Sequence, residues 1–318
     1  MGMLLDRRQA GLGLLSAAGA FAPLRAWCQA TQPDGPAVIA PADQEPSTQL
    51  QTERDPFKHM LAPVTINKQG PFQFLIDTGA NVSCVSRDLA ERLALPPDRP
   101  APVHTPVGVR IRPTVLIERL DVGARTRRRV RTATFTGLGP GIDGVLGVDW
   151  LAGQRLALDF KTRRLEITRS RDEFESRTRV IVPARRRLGQ LTIVDADLGG
   201  HRISAMIDSG SQATICNKPL RDLVTRMERG RPDGQPHYEV KLETLAGEPF
   251  DGEMFYLPFL KFGGLQLGNV PTVYAETDIF ELWGLKTTPA VVLGMDLLTQ
   301  FEAVALDYGR SRVRFDLA

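Results

Sequence analysis

The sequence predicts an all-β protein with two pseudo-symmetric, closed β-barrel-like lobes and a few short helices. The first observation behind this prediction is composition: 29 Gly and 23 Pro make up about one residue in six, which is typical of turn-rich β proteins. The second is that the two halves of the chain carry the same motifs in the same order. The third is a hydrophobic content of 42% over 318 residues, which is enough to bury substantial cores and excludes a disordered protein.

Four matched pairs of segments define the repeat. In each half an apolar run leads into an aspartate motif, which is Asp-Thr-Gly-Ala in the first half and Asp-Ser-Gly-Ser in the second. Both halves then continue with the same three motifs in the same order: Thr-x-x-Gly, Val-Leu-Gly-x-Asp and Ala-Leu-Asp. The pairs are 74–80 with 205–211, 105–108 with 244–247, 145–151 with 292–298, and 157–160 with 305–308. The first three pairs are 131, 139 and 147 residues apart, which indicates longer loops in the second half. We therefore predict two copies of one β-rich unit, at 59–170 and 171–318.

The remaining elements follow from local patterns. Strands are predicted where residues alternate in polarity or are β-branched and aromatic. These stretches are 64–66, 72–76, 164–168 and 312–315. A short helix is predicted at 87–93, because Leu89 and Leu93 would share one face before Pro96 ends it, and 220–227 is its counterpart. The charged stretch 169–179 is the predicted connector between the two copies.

Residues 1–30 predict an export signal. Arg7 and Arg8 precede an uncharged apolar run, Gly11 to Leu24, whose 14 residues are too few to span a bilayer as a helix. The paired arginines resemble a twin-arginine signal, with an ordinary secretory signal as the alternative. Residues 31–58, rich in Pro, Gln, Asp and Glu, are predicted to be a flexible linker. We expect an exported protein, periplasmic or secreted, with no stable membrane span.

Charge and residue counts exclude several classes of function. A net charge of +3 against 77 charged side chains argues against a dedicated nucleic-acid binder. Four His and three Cys are too few and too scattered for a zinc site, and no His has the spacing of a Ser-His-Asp hydrolase. The glycines of 139–144 fit a dinucleotide-binding pattern, but Pro140 interrupts it and no long helix follows, so a loop is predicted.

Two further features leave alternatives open. Cys84 and Cys216 lie at similar distances after the repeated Asp residues, so we expect them buried in corresponding strands, with a disulfide between them less favoured. The basic runs 125–131 and 185–187 predict exposed hairpins. A surface for an acidic substrate or a membrane is the alternative for these runs.

Asp77 and Asp208 are the candidate chemical groups. Each follows an apolar strand and enters a tight glycine turn, where a carboxylate is costly unless it is paired, hydrogen-bonded or used. At equivalent points of two related lobes, the two carboxyl groups could meet across a pseudo-two-fold axis. Two carboxyl groups at such a short distance share one proton. One can then draw a proton from water while the other protonates a substrate carbonyl. The alternative is a pair of turn residues in a non-catalytic peptide-binding or scaffold protein.

At these residues the chain resembles the aspartic proteases, in particular the retropepsin-like branch, over about 59–318. Asp77-Thr-Gly-Ala80 matches that branch letter for letter, and Asp208-Ser-Gly-Ser211 is an accepted variant. The resemblance implies the acid-protease fold, catalysis by Asp77 and Asp208, a peptide or protein substrate and no metal or organic cofactor. Because both halves are in one chain, as in pepsin, it also implies a monomer.

The resemblance assigns supporting roles to further residues. The positions that would support the active-site loops are Thr78, Gly79, Ala80, Ser209, Gly210 and Ser211. The positions that would belong to substrate-covering flaps are Thr105, Gly108, Thr244 and Gly247. The segments Leu146-Gly147 and Leu293-Gly294 would pack beside the aspartate loops. Neither expected flap carries the Tyr that pepsin-like enzymes use there.

The two loops differ at one position, where the first has Ala80 and the second has Ser211. We expect the Ser211 hydroxyl to donate to Asp208 and favour its ionised form. Asp77 would then hold the shared proton more often.

Overall fold

The computed structural model describes residues 24–26, 29–30, 48–54, 59–151, 153–228 and 237–317. It is mainly β, with 56% strand and 11% helix, which confirms the predicted fold class. The strands of the N-terminal half are β1 (Leu24–Ala26), β2 (Gln29–Ala30), β3 (Thr48–Gln51), β4 (Glu53–Arg54), β5 (Met60–Ile66), β6 (Gln69–Ile76), β7 (Cys84–Ser86), β8 (Pro97–Thr105), β9 (Gly108–Val122), β10 (Arg125–Phe135), β11 (Gly144–Leu146), β12 (Gln154–Asp159) and β13 (Arg164–Arg169). Those of the C-terminal half are β14 (Arg179–Pro183), β15 (Arg185–Arg187), β16 (Gln190–Leu198), β17 (His201–Ile207), β18 (Ile215–Cys216), β19 (Tyr238–Thr244), β20 (Pro249–Phe262), β21 (Leu265–Tyr274), β22 (Ala290–Leu293), β23 (Ala303–Asp307) and β24 (Arg312–Asp316).

Each half closes six strands into a barrel. In the first, the order is β9-β10-β7-β11-β6-β5, and β5 returns to β9 with Val64 opposite Val122. In the second, the order is β20-β21-β18-β22-β17-β16, and β16 returns to β20 with Asp197 opposite Lys261. Corresponding strands therefore occupy corresponding places, as the sequence repeat predicts. Closure leaves few free strand edges and surrounds a packed apolar interior.

A third sheet joins the two halves, with the order β14-β24-β23-β12-β13-β3. At its centre β12 pairs with β23, and Ala157 lies directly opposite Ala305. The two copies of the Ala-Leu-Asp segment thus pair with each other across the pseudo-two-fold axis. Their neighbours Leu158 and Leu306 are fully buried, so this sheet forms the apolar floor beneath both barrels.

Buried arginines are a feature that the sequence did not predict. Arg155, on the central strand β12, is almost fully buried and forms ion pairs with Glu173 at 2.8 Å and Glu166 at 3.3 Å. The basic run 125–131 forms a hairpin as predicted, but its first residue is not exposed. Arg125 is buried and donates to the carbonyl of Trp150 at 3.2 Å.

Helices are short and few, as predicted. They are α1 (Arg87–Arg92), α2 (Lys218–Glu228), α3 (Ile279–Leu282) and α4 (Met295–Leu298), with a 3-10 turn at Val148–Trp150. The Ser86 hydroxyl caps α1 by accepting from the N–H of Leu89, and the Asn217 side chain does the same for α2 with Leu220. Among the described residues, no helix is long and apolar enough to cross a membrane.

Most of the predicted signal and linker lies outside the described residues. The described part of the linker, 48–54, is not a flexible chain as predicted, because it forms β3 and β4, which pair with β13 and β5. The backbone is described for β1, which pairs in parallel with β19, and for β2, which pairs antiparallel with β8. Leu24 lies opposite Leu242, and Gln29 lies opposite His104. The first thirty residues therefore contribute one short strand to the edge of each lobe's barrel sheet.

Candidate active site

The two repeated aspartates stand at the ends of equivalent strands. Asp77 follows β6 and Asp208 follows β17, and both side chains are fully buried. The N–H of Asp77 donates to the carbonyl of Leu146 at 3.0 Å, and that of Asp208 to the carbonyl of Leu293, also at 3.0 Å. Each aspartate backbone is thus fixed by the parallel strand beside it.

The carboxyl groups of Asp77 and Asp208 lie close enough that each shifts the pKa of the other. Each also packs against the glycine of the opposite lobe. A β-carbon on Gly79 would lie 2.6 Å from Cγ of Asp208, and one on Gly210 would lie 2.6 Å from Oδ1 of Asp77. Real β-carbons do not approach so closely, so glycine at both positions is what lets the two carboxyl groups meet.

Backbone N–H groups hold one oxygen of each carboxyl group. Oδ1 of Asp77 accepts from Gly79 and Ala80, both at 2.8 Å, and Oδ1 of Asp208 accepts from Gly210 at 2.8 Å. The Oδ2 atoms of both are buried and accept from no N–H or hydroxyl of the described residues. The oxygens that remain for chemistry are therefore on the two Oδ2 positions.

Burial sets the protonation of this pair. It raises the pKa of Asp77 well above the ordinary value, and the nearby Asp208 charge raises it further. Burial also raises the pKa of Asp208, against the lowering effect of its bond from Gly210. Two such carboxyl groups cannot both ionise readily, so the pair holds one shared proton over a wide pH range.

The hydroxyl residues after the aspartates lock the lobes together. Thr78 Oγ1 donates to the carbonyl of Ile207 at 2.9 Å, and Ser209 Oγ donates to the carbonyl of Ile76 at 2.7 Å. Each hydroxyl oxygen also accepts from the backbone N–H of the other residue, at 3.0 and 3.2 Å. Four hydrogen bonds thus cross the interface directly beneath the carboxyl pair.

The expectation for Ser211 is wrong. Its hydroxyl donates to the carbonyl of Ala213 at 2.8 Å, within its own turn. The donor that the sequence analysis assigned to Asp208 is therefore engaged elsewhere. The difference between Ala80 and Ser211 stabilises a turn and supplies no hydrogen bond to the carboxyl group.

The Leu-Gly segments pack directly behind the two loops. Val148 N–H donates to the carbonyl of Ala80 at 2.9 Å, and Met295 N–H donates to that of Ser211 at 2.7 Å. A β-carbon on Gly147 would lie 2.7 Å from the Ala80 oxygen, so glycine is required for this approach. The resemblance implied this packing for both segments, and the structure shows it in both.

The aspartates that follow these glycines, Asp149 and Asp296, support the loops from behind. Asp149 accepts from Ser83 Oγ at 2.9 Å, and Asp296 accepts from Thr214 Oγ1 at 2.8 Å. Burial raises the pKa of each to about 6. They do not contact the carboxyl pair through any bond in the described residues, and their contacts are those of structural groups.

The four expected flap residues lie at the tips of two hairpins, β8–β9 and β19–β20. Thr105 Oγ1 donates to the carbonyl of Gly108 at 2.9 Å and so closes the first turn. Thr244 Oγ1 closes the second by accepting from the N–H of Ala246 and of Glu248. In both Thr-x-x-Gly segments, therefore, the Thr side chain stabilises the hairpin turn by hydrogen bonds within it.

Each hairpin tip crosses to the other half of the molecule. The carbonyl of Pro106 in the first tip accepts from the N–H of Asp278 in the second half at 3.1 Å. Leu245 in the second tip is fully buried in an apolar cluster of the first barrel that includes Ala80 of the Asp77 loop. Between the hairpins, Glu248 accepts from Arg112 at 3.1 Å and from Thr105 at 3.4 Å. We call these Glu248 contacts the hairpin clasp.

The sequence reasoning missed several residues near the carboxyl pair. Leu245 lies inside the repeated Thr-x-x-Gly segment and Glu248 directly follows it, but neither residue had a separate signal. Tyr308, the last residue of the fourth repeat pair, is buried close enough to Asp77 and Asp208 that their charges help raise its pKa. Gln190, fully buried, donates to the Asp77 loop.

The two cysteines of the described residues lie in equivalent strands. Cys84 and Cys216 are both buried and free, in the equivalent strands β7 and β18, and no disulfide joins them. Within the described ranges, no group of three or more His, Cys, Asp or Glu is placed to hold a metal ion.

Comparison with known proteins agrees with this geometry. The family model described as aspartyl protease matches residues 62–150 and 194–297, which together cover more than half of the chain. The two matched regions each contain one of the two aspartates. No curated protein matches the chain.

We predict that Asp149→Asn changes the pH dependence of stability. The pKa of Asp149 is raised to about 6 in the folded protein, so in wild type its contribution to stability is full at low pH and declines as pH rises towards 6. The variant lacks this decline. The difference in free energy of unfolding, variant minus wild type, should therefore increase by about 2 kcal/mol from about pH 4 to pH 7, as measured by urea unfolding. A difference that does not change with pH would contradict the prediction.

We also predict that Glu248→Gln loosens the hairpin clasp, because it removes the charge that Arg112 binds. The amide of Asp278, which donates to Pro106, should exchange hydrogen about two- to fivefold faster, along with amides 245–248. Glu302→Gln, which breaks the exposed ion pair with Lys161, is the matched control and should leave these amides unchanged. Equal exchange in wild type and Glu248→Gln would show that the clasp does not restrain the tips.

Proposed function

Because the chain belongs to the aspartyl protease family, we propose that it is an aspartic endopeptidase whose catalytic residues are Asp77 and Asp208. The single observation that carries this proposal is the pair of adjacent buried carboxyl groups, each against the glycine of the opposite loop and each with Oδ1 held by backbone N–H groups. A protein does not bury two acids together without a compensating use, because both are costly to desolvate.

The chemistry follows from the shared proton. A water molecule between the two Oδ2 atoms would lose a proton to the ionised carboxylate while its oxygen attacks the carbonyl carbon of a peptide bond. The protonated partner would donate to the carbonyl oxygen, giving a neutral tetrahedral diol. The carboxyl group that now holds the proton then gives it to the amide nitrogen, while the ionised partner takes a proton from a hydroxyl of the diol. The C–N bond breaks, and a carboxylic acid and an amine leave. The pair ends with one proton, as it began, so no external acid or base is consumed.

The substrate would be an extended peptide held between the hairpins, which act as two flaps. An extended chain satisfies its backbone groups by adding to a sheet edge. Both hairpin strands accept an added strand, because β19 pairs with β1 and β8 pairs with β2. If residues 1–30 are a signal that is removed on export, the mature enzyme presents these two edges to its substrate.

Assembly and location complete the proposal. One chain supplies both aspartates and all four cross-lobe hydrogen bonds of Thr78 and Ser209, so a monomer is sufficient for catalysis. The paired arginines and apolar run of residues 1–30 support export to the periplasm or the exterior. The family favours a peptide or protein over a nucleic acid as the partner.

We predict that Asp77→Asn and Asp208→Asn each abolish cleavage of a peptide library. The cleavage rate should fall by about 10²- to 10⁴-fold or more. An amide neither takes up nor releases the proton that both half-reactions need. Because the pKa of both groups is raised in the folded state, their ionisation costs stability as pH rises, so neither variant should melt below wild type at neutral pH. Digestion followed by mass spectrometry, together with thermal unfolding, measures both effects.

Asp159→Asn is the control, since Asp159 also belongs to a repeated motif but caps an exposed turn by accepting from Thr162. It should cut like wild type. If either dyad variant cuts as well as wild type, the shared-proton mechanism is wrong. If wild type binds library peptides and cuts none at any pH, the protein is a peptide-binding module with the same fold.

A further inference from the structure

Two buried polar residues occupy equivalent places beside the two aspartates. In the first barrel Leu61 of β5 lies opposite Leu75 of β6, so two residues further along the same register His59 faces Asp77. In the second barrel Thr192 of β16 lies opposite Met206 of β17, so Gln190 faces Asp208 in the same way. The side chains of His59 and Gln190 are fully buried. Neither residue belongs to a repeated motif of the sequence.

Gln190 reaches out of its own barrel into the loop of the other. Its Nε2 donates to the carbonyl of Gly79 at 2.7 Å and to Oδ1 of Asn81. Both acceptors lie in the turn that follows Asp77. A side chain anchored beside one aspartate therefore holds the loop that carries the other.

The Gly79 carbonyl is a specific target within that loop. It belongs to the same peptide unit as the N–H of Ala80, and that N–H donates to Oδ1 of Asp77 at 2.8 Å. A donor on the carbonyl fixes the plane of the peptide and polarises it, which strengthens the N–H as a donor. Two hydrogen bonds in series therefore connect the Gln190 side-chain amide, through the Gly79–Ala80 peptide, to the Asp77 carboxylate.

We propose that Gln190 is a positioning residue for the carboxyl pair: from its site beside Asp208 it fixes the Gly79–Ala80 peptide, and so keeps Asp77 aligned with its partner. The proposal rests on the proposed function, since it concerns the same pair. It assigns a role to a residue that touches neither the substrate nor the reacting oxygens.

Two consequences separate this role from simple packing. Misalignment of the reacting groups lowers kcat more than it changes KM, because substrate binding by the flaps is unaffected. A weaker Ala80 N–H bond also disfavours the Asp77 anion, since that bond lowers its pKa. Asp77 is the member of the pair that keeps its proton longer, so the basic limb of the pH–rate profile should then move to higher pH. The other titratable groups that face the pair are Tyr308, whose pKa both aspartates raise, and His59, whose charge lowers that of Asp208.

The test compares wild type with Gln190→Met, which keeps the length of the side chain and removes its donors. We expect kcat for a cleaved library peptide to fall about 10- to 100-fold with KM changed less than about threefold, and the basic limb of the pH–rate profile to move to higher pH. Gln190→Asn keeps the amide but is one methylene too short to reach Gly79. It should show the same fall in kcat and the same shift of the pH–rate profile, and it replaces Gln190→Met in the test if that variant does not fold.

Asn217→Leu is the matched control. Asn217 is a buried amide of the same half, and its Nδ2 donates to the carbonyls of Leu285 and Thr288, both at 2.7 Å. This variant should lose stability while kcat and the basic limb stay as in wild type. Unchanged kcat and pH profile in both Gln190 variants would overturn the proposal, and so would a matching loss of kcat in Asn217→Leu.

A second readout does not depend on cleavage. Carboxyl carbon NMR of the full chain follows the titration of Asp77 directly, and this titration should move to higher pH in Gln190→Met. If wild type cleaves nothing but the titration moves, the proposed function fails and the positioning role stands. If wild type cleaves and neither kcat nor the titration moves, the positioning role fails and the function stands.

Discussion

The close approach of two buried carboxyl groups is the constraint on which the rest of the molecule depends. Each would be strongly disfavoured alone in an apolar interior, and together they persist because they share one proton and because backbone N–H groups bind their inner oxygens. Their approach requires the glycines of both loops, and their alignment requires the crossed bonds of Thr78 and Ser209. Two barrels facing each other across a common sheet satisfy all of these requirements.

The same loops also carry a cost in stability at neutral pH. Asp149 and Asp296, behind the loops, have pKa values raised to about 6, and the central pair is raised in the same direction. Ionisation of these groups opposes folding as pH rises. The long apolar floor formed around β12 and β23, together with two closed barrels, supplies the burial that offsets this cost. Rigid surroundings are also what keep the carboxyl groups at a fixed separation.

The sequence predicted the fold well because the repeat constrains it twice. An apolar strand followed by Asp-Thr-Gly or Asp-Ser-Gly has a local meaning, and its recurrence in order implies symmetric placement. Contacts that depend on long-range geometry were not predictable. Gln190 reaches Gly79 across more than a hundred residues, and Leu245 packs in the opposite barrel. Ser211 was misassigned because a serine hydroxyl readily bonds a nearby backbone carbonyl, here that of Ala213.

The pairing of β12 with β23 has one more consequence. Two identical halves would present the same surface to a peptide read forwards or backwards, since a two-fold axis has no direction while a peptide has one. Here the halves are held in a single chain, so each has been free to diverge. One loop has Ala80 and the other Ser211, and one hairpin tip offers Pro106 where the other inserts Leu245. A peptide bound between them, as the proposed function requires, would therefore meet different residues towards its amino end and towards its carboxyl end.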